Sequence, residues 1–202
     1  MVRIRNISHE SEQATACIKV HEHARSQVRV YTGDVATSTV PVVMHTLLGS
    51  CVAVCLYDAL LGAGGMNHIL LPGSRQDGRS TRFGVYAMEL LINELMKQGG
   101  DRRRFVAKAF GGATVMSGLT ASTIGDDNAE FVRTFLAAEK IPLVAQRLGG
   151  NHAVHVYFST ESGKAIVQSV DGSGLPRLIH AEDSYRRSHT ADKYFSGEVT
   201  LF

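Results

Sequence analysis

The sequence lacks any long uninterrupted apolar segment. None of its 202 residues belongs to a stretch that approaches the roughly 18 apolar residues needed for a membrane-spanning helix. The N-terminus, MVRIRNISHE, carries positive charge, but no apolar run follows it as in a secretory signal. These absences predict a cytosolic protein that is not embedded in a membrane.

The sequence also has little net charge and few cysteines. Its 21 basic and 19 acidic side chains leave a formal charge of +2, and its one tight basic run, Arg102–Arg104, is typical of a solvated turn. We expect no nucleic-acid partner, because such surfaces combine more basic residues with aromatic ones for base stacking. The three cysteines, Cys17, Cys51 and Cys55, are an odd number without an export signal, which argues against a disulfide framework.

The pattern of apolar residues predicts one α+β domain with two main helices. Hydrophobic residues make up 44% of the chain and charged residues 20%, an ordinary globular balance. Helical spacing of apolar residues predicts a helix that begins near Val85 and stops at Gly99, and a second helix over residues 128–139. Alternating or β-branched segments predict about seven strands, at residues 27–31, 51–58, 66–71, 105–110, 142–148, 154–158 and 165–170. Residues 40–48 are predicted to form either a further strand or an extended segment that leads to the strand at residues 51–58.

The two ends of the chain differ in composition from its centre. Residues 1–24 are polar without clear periodicity and predict a flexible N-terminal extension. Residues 25–174 hold all the predicted strands and helices and form the predicted domain. Residues 175–202 are polar and mixed in charge, which predicts a C-terminal tail.

The clearest candidate for chemistry is Cys51, in the segment LGSCVAV. A turn of small residues delivers this cysteine to the start of a buried strand, where a rigid element holds it and one side is left open to a substrate. Backbone N–H groups at Gly49 and Ser50 are suitably placed to hold a developing oxyanion. The alternative is that Cys51 is a small buried hydrophobe.

A nucleophilic Cys51 needs a nearby base, since a thiol is only slightly ionised at neutral pH. His68 lies in the next predicted strand and becomes a neighbour if the two strands form a hairpin. The plain register sets Cys51 opposite Leu71, so a bulge or offset is needed, and a core histidine is the alternative. A catalytic imidazole also needs a polar group to orient it. Thr46 and His45, both just before the turn, are the two candidates.

A metal or nucleotide site is not predicted. Cys51 and Cys55 are about 13 Å apart if they lie on one strand, whereas zinc–sulfur bonds are about 2.3 Å long, so these two thiols and His68 do not share one ion. Gly111 and Gly112 follow a predicted strand, but no Walker lysine comes after them. We therefore expect no metal and no cofactor.

Five blocks of the sequence resemble the CheD family of chemoreceptor glutamine deamidases. In order, they are LLGSCVAVCLYD, GGMNHILLP, RFGVYAMELLINELMKQGG, AKAFGGA and LGG before a strand. Their order and spacing fit over roughly residues 33–172, and the seventeen positions from Cys51 to His68 are a specific feature.

The resemblance implies a layered α/β fold with a mixed β-sheet core, similar to the deamidase domains of certain bacterial toxins. It implies hydrolysis of selected glutamine side chains on methyl-accepting chemotaxis receptors to glutamate and ammonia, and in some members removal of methyl esters. The catalytic Cys, His and Thr of the family fall on Cys51, His68 and Thr46. His152 and His155 depart from the small or basic residues that many members carry there.

The resemblance also implies a phosphatase of the CheC type as a partner, although many bacteria lack one. The competing hypothesis is a non-catalytic chemotaxis adaptor that binds receptors or such a phosphatase and needs no reactive thiol.

Overall fold

The computed structural model describes residues 2–5, 26–71, 78–114, 119–170 and 175–190. These residues form ten strands and three α-helices, which confirms the predicted α+β class and adds one helix to the two that were predicted. The strands are β1 Val2–Arg5, β2 Gln27–Arg29, β3 Val35–Ser38, β4 Val43–Leu48, β5 Val52–Asp58, β6 Ala63–Ile69, β7 Val106–Gly111, β8 Leu143–Leu148, β9 Val154–Ser159 and β10 Ala165–Ser169. The helices are α1 Gly78–Lys97, α2 Leu119–Ala138 and α3 Leu175–Thr190.

The strands form two mixed sheets. A six-stranded sheet has the order β1-β3-β6-β5-β7-β8, and a four-stranded sheet has the order β10-β9-β4-β2. Among the described strand pairs, β7–β8 and β2–β4 are parallel and the others antiparallel. Helices α1 and α2 cover one face of the larger sheet, and the smaller sheet packs on its other face. The result is three layers, helices on sheet on sheet.

Strand β5 lies inside the larger sheet and is buried on both faces. Val52, Val54 and Leu56 face the helices, whereas Ala53 and Cys55 face the smaller sheet. This alternation is the two-residue period of a strand, and burial on both sides explains the nearly continuous apolar run. Cys51, directly before β5, also belongs to the core between the two sheets.

Both predicted helices begin earlier than expected, and one predicted turn is shorter. Helix α1 begins at Gly78, not near Val85. Helix α2 begins at Leu119, not near residue 128, and it includes Gly125. A Cβ on Gly125 would lie only 2.5 Å from the carbonyl oxygen of Gly112, so this glycine lets the helix approach the chain after β7. Gly64 and Gly65 likewise belong to β6 rather than to the preceding turn.

The ends of the chain are described only in part. Val2–Arg5, within the predicted extension, form edge strand β1 and pair with β3. Residues 6–25, including Cys17, and residues 191–202 lie outside the described residues. Helix α3 occupies the first part of the predicted tail. The division into extension, domain and tail stays a prediction.

The basic run Arg102–Arg104 forms a short 3-10 helix, not a simple solvated turn. Arg104 donates to both carboxylate oxygens of Asp58, whose side chain is fully buried at the end of β5. Asp58 also accepts from the backbone N–H groups of Leu60 and Leu61, which closes the β5–β6 turn. The hydrogen bonds from Arg104 lower the pKa of Asp58 to about 2.

Candidate active site

The pairing of β5 with β6 places Cys51 and His68 on the same face of the larger sheet. Ala53 is opposite His68 and Val52 is opposite Ile69, in a regular antiparallel register. Opposite residues point to the same face, as do residues two apart on one strand. Cys51 and His68 are therefore diagonal neighbours, a relation that spans about 7–8 Å between backbones. The predicted register was wrong by one residue, and no bulge is required.

His68 is oriented by Thr46. The Thr46 hydroxyl donates to the carbonyl of Val30 at 2.7 Å, and its oxygen lies 2.8 Å from Nδ1 of His68. Because the single hydroxyl hydrogen is used on Val30, the oxygen accepts from Nδ1–H. This geometry favours the tautomer with the proton on Nδ1 and a lone pair on Nε2. Burial lowers the pKa of His68 to about 4, so the ring is neutral at neutral pH.

Thr32 is a member of the site that the sequence did not indicate. Its hydroxyl oxygen lies 3.3 Å from Nε2 of His68, and its side chain is also hydrogen-bonded to Cys51. One hydroxyl thus contacts both the thiol and the imidazole. Thr32 lies in the loop before β3, outside any recognisable motif, so only the folded chain reveals it.

His45 lies apart from His68. In β4 it is opposite Tyr157, and successive residues of a strand point to opposite faces, so Thr46 and His45 diverge. The His45 ring stacks on Tyr157 with centroids 5.8 Å apart and meets His155 edge-on at 5.9 Å. Of the two orienting candidates, Thr46 is the one that contacts His68. His155 belongs to this ring cluster, and His152 is exposed.

Three consecutive backbone N–H groups around Cys51 converge on one carboxylate, that of Glu182 in α3. Gly49 and Cys51 donate to Oε1 at 3.0 and 3.4 Å, and Ser50 donates to Oε2 at 3.1 Å. The Ser50 hydroxyl adds a fourth bond to Oε2 at 2.6 Å. The turn is therefore an anion site built from main-chain donors. The sequence indicated the donors at Gly49 and Ser50 but gave no sign of Glu182.

The opposite side of this turn is held by helix α2 and by the loop after β7. The Asn128 amide donates to the carbonyl of Ser50 at 2.9 Å. Backbone N–H groups of Gly112 and Ala113 donate to the carbonyls of Cys51 and Gly49, at 2.7 and 2.8 Å. Since these carbonyls are occupied, the N–H groups of the turn are fixed towards Glu182. Gly112 and Ala113 thus have a structural role. Neither this role nor the role of Asn128 was predicted from the sequence.

Only glycine fits beside the Cys51 carbonyl. Gly111 has a φ of +106°, and a Cβ there would lie 2.2 Å from the Cys51 oxygen. Such a contact is impossible without moving the backbone that presents Cys51.

The thiol of Cys51 is fully buried and is hydrogen-bonded to the Glu182 carboxylate. Burial raises the pKa of Cys51 well above its usual range, and the charge of Glu182 raises it further, while the bond from Thr32 opposes the rise. With Glu182 in place, the thiol is therefore protonated.

Cys55, within strand β5, has a different environment. It is 1% exposed within the core between the sheets, and burial raises its pKa. Within the described ranges, no three His, Cys, Asp or Glu side chains are grouped closely enough to hold a metal ion. Among the helices in those ranges, none has the length and apolar character required to span a membrane.

Comparisons with known proteins identify the relatives of this chain. The family described as CheD chemotactic sensory transduction matches residues 70–169. A probable chemoreceptor glutamine deamidase CheD of Stenotrophomonas maltophilia (strain K279a) is 46% identical over 164 residues, which cover 79% of this chain and 80% of that relative. The protein of the same name from Xanthomonas euvesicatoria pv. vesicatoria (strain 85-10) is 48% identical over the same shares. One from Burkholderia vietnamiensis is 47% identical over 151 residues, 72% of this chain and 61% of the relative. The chain belongs to the CheD family.

Proposed function

We propose that this protein is a cysteine-dependent deamidase that converts glutamine side chains of methyl-accepting chemotaxis receptors to glutamate and releases ammonia. The observation that carries the proposal is the anion site at Cys51, where main-chain donors surround a carboxylate beside the thiol. A carboxylate is also the group that glutamine hydrolysis produces. The names of the relatives, which specify chemoreceptor glutamine deamidation, support the receptor substrate.

Cys51 is the proposed nucleophile and His68 its base. Nε2 of His68 takes the thiol proton, because Thr46 keeps the other ring nitrogen protonated. The imidazolium that forms retains its bond from Nδ1–H to Thr46, so the ring does not rotate during the transfer. Thr46 thus acts as the positioning residue of the pair.

The amide oxygen of the substrate binds where Oε1 of Glu182 lies, on the N–H groups of Gly49 and Cys51. The thiolate forms a bond to the amide carbon, and the carbonyl electron pair moves onto the oxygen, where these donors stabilise it. When the intermediate collapses, the carbon–nitrogen bond breaks and the imidazolium of His68 protonates the leaving ammonia. Water, activated by His68, then hydrolyses the thioester to glutamate and restores the thiol.

The same attack applies to a methyl ester of a receptor glutamate, with methanol leaving in place of ammonia. We therefore propose methylesterase activity as a second reaction of this site. A CheC-type phosphatase as partner and a cytoplasmic location stay predictions from the sequence.

The test is mass spectrometry of a receptor cytoplasmic fragment after incubation with the protein, which reports each conversion of glutamine to glutamate. Cys51→Ala and His68→Ala should give no conversion while they retain a cooperative thermal transition. Cys55→Ala is the matched control, since it removes a buried thiol four residues further along the chain and outside the site, and conversion should persist. Full conversion by Cys51→Ala would refute the proposal.

A further inference from the structure

We propose that α3 is an autoinhibitory segment, in which the Glu182 carboxylate occupies the substrate's place at Cys51 as a product mimic. The inference rests on the proposed function, because the mimicry is of the glutamate that the reaction would form. On this view a receptor glutamine reaches Cys51 only after α3 has moved away.

The carboxylate of Glu182 is placed as a ligand and not as a surface charge. The residue is 6% exposed although it belongs to a helix at the end of the described chain. Its two oxygens together accept three main-chain bonds and one from the Ser50 hydroxyl, at 2.6–3.4 Å. Buried carboxylates need such compensation, and here the compensating donors are those proposed to hold the oxyanion. Occupation by Glu182 and by a substrate amide is therefore mutually exclusive.

One face of α3 covers the cleft around this carboxylate. Leu178, Glu182 and Tyr185 follow the i, i+4, i+7 spacing of a single helix face. A Cβ on Gly49 would lie 3.2 Å from Leu178, and one on Gly33 would lie 2.6 Å from the Tyr185 hydroxyl. Because both residues are glycines, their backbones can approach α3 this closely.

This cover closes the site to a protein substrate. With α3 in position, Cys51 is 0% and His68 3% exposed. The Tyr185 ring also meets Phe83 of α1 edge-on, with centroids 6.2 Å apart, so the contact extends beyond Cys51 itself. Among the described residues, neither the thiol nor its proposed base offers a receptor segment more than a trace of exposed surface in this arrangement.

Glu182 also suppresses the reactive form of the thiol. A thiolate beside a buried carboxylate brings two negative charges together, and this charge adds to burial in raising the pKa of Cys51. Withdrawal of α3 removes the charge and admits water, and both changes favour the thiolate. Access and activation are thus controlled by the same movement.

The first experiment measures alkylation of Cys51 by iodoacetamide at neutral pH in the full chain, resolved by peptide mass spectrometry. One hydrogen bond to a charged group contributes roughly tenfold or more to an equilibrium constant, so Glu182→Ala should accelerate Cys51 alkylation by at least about tenfold. Asp183→Asn is the matched control, because this neighbouring carboxylate pairs with Arg186 and Arg187 on α3, and its rate should equal that of the wild type. Equal rates for the wild type and Glu182→Ala would overturn the proposal.

Cys55 reports whether the variant is folded. It lies in the core away from α3, so its alkylation should stay slow in every variant. Rapid alkylation of both cysteines in Glu182→Ala alone would mean that Glu182 stabilises the fold and does not gate the site, which also contradicts the proposal.

The second experiment uses Glu182→Gln, which places an amide where the product mimic sits. The purified full chain should convert this introduced glutamine back to glutamate without any receptor, by the same thioester route, with a gain of about one dalton in the α3 peptide. The double variant with Cys51→Ala should retain the glutamine. Ser184→Gln is the control, since it puts a glutamine on the exposed side of the same helix, and that side chain should persist. If Glu182→Gln protein deamidates a receptor fragment and yet keeps its own introduced amide, the inference is overturned.

The two proposals fail in different ways. If neither the wild type nor Glu182→Ala modifies a receptor fragment, the proposed function is wrong, while alkylation still decides whether α3 gates Cys51. If the receptor fragment is modified by both at the same rate, the function stands and the autoinhibitory contact is refuted.

Discussion

Replacing Thr46 by valine removes one oxygen from the candidate site and keeps the shape of the side chain. The hydroxyl makes two contacts, one to the Val30 carbonyl at 2.7 Å and one to Nδ1 of His68 at 2.8 Å. After the substitution, Nδ1–H keeps only its longer approach to the Val30 carbonyl, at 3.4 Å. The preference for the tautomer with a free Nε2 is thereby weakened, and that lone pair is the proposed base.

The size of the effect follows from these contacts. Leaving a buried donor or acceptor unsatisfied costs about 1–3 kcal/mol, so Thr46→Val should lower the free energy of unfolding by about that amount. If the same free energy holds the correct tautomer, its loss lowers kcat by about 5- to 140-fold, since about 1.4 kcal/mol equals a factor of ten. KM should change little, because Thr46 is buried and does not contact the substrate position.

The assay is the rate of glutamine conversion in a receptor fragment, measured over a range of fragment concentrations, together with thermal denaturation. Thr46→Ser is the control, since it keeps the hydroxyl and should retain most of the kcat. Unchanged kcat in Thr46→Val would refute the positioning role. A loss larger than that of His68→Ala would show that the roles of the two residues have been misassigned.

Two further predictions concern residues that the sequence did not single out. Thr32→Val removes a hydrogen bond that lowers the pKa of Cys51, so the acidic limb of the pH profile of kcat/KM should move to higher pH. Thr32→Ser keeps the hydroxyl and should leave the profile in place. An unmoved profile in Thr32→Val would contradict this role. Asp58→Asn breaks the buried pair with Arg104 and should reduce the free energy of unfolding at neutral pH by about 3 kcal/mol, measured by urea denaturation. Because the folded pKa of Asp58 is about 2, below the roughly 3.9 of an unfolded chain, its contribution is present above about pH 4 and is lost as the pH falls towards 2. The difference between wild type and Asp58→Asn should therefore shrink over that interval, and a constant difference would argue against the pair.

The hairpin that carries Cys51 and His68 was predictable because its signal is local. Strand β5 is β-branched and apolar, and a short glycine-containing turn joins it to the next apolar run. The predicted register set Cys51 opposite Leu71, whereas the structure closes the turn between Asp58 and Ala63, which shifts the pairing by one residue. A Cβ on Gly65 would lie 2.7 Å from both Leu91 and Thr37, so it is a packing glycine beneath α1 and β3. Spacing along the chain does not distinguish a glycine required for packing from one required for a turn.

The remaining parts of the site depend on contacts between distant segments. Asn128 and Glu182 meet the Cys51 turn from 78 and 131–133 residues further along the chain. No sequence pattern identifies either residue as part of the site, since an amide or a carboxylate in a helix is ordinarily solvent-exposed. The sequence indicated Cys51, His68 and Thr46 as a group, and their catalytic roles stay proposals.

The depth at which Cys51 lies has a consequence for which side chains can react. Strand β5 is hydrogen-bonded along both edges, and the carbonyl of Cys51 is held by Gly112, so the sulfur keeps its position in the turn when α3 withdraws. For a deamidase of the proposed kind, the incoming residue must span that depth with its own carbon chain. Glu182, whose side chain is as long as that of glutamine, spans the distance from α3 to the turn. Asparagine is shorter by one methylene group, and from the same distance its amide would stop short of the sulfur. The position of Cys51 would thus select glutamine over asparagine by the length of its side chain.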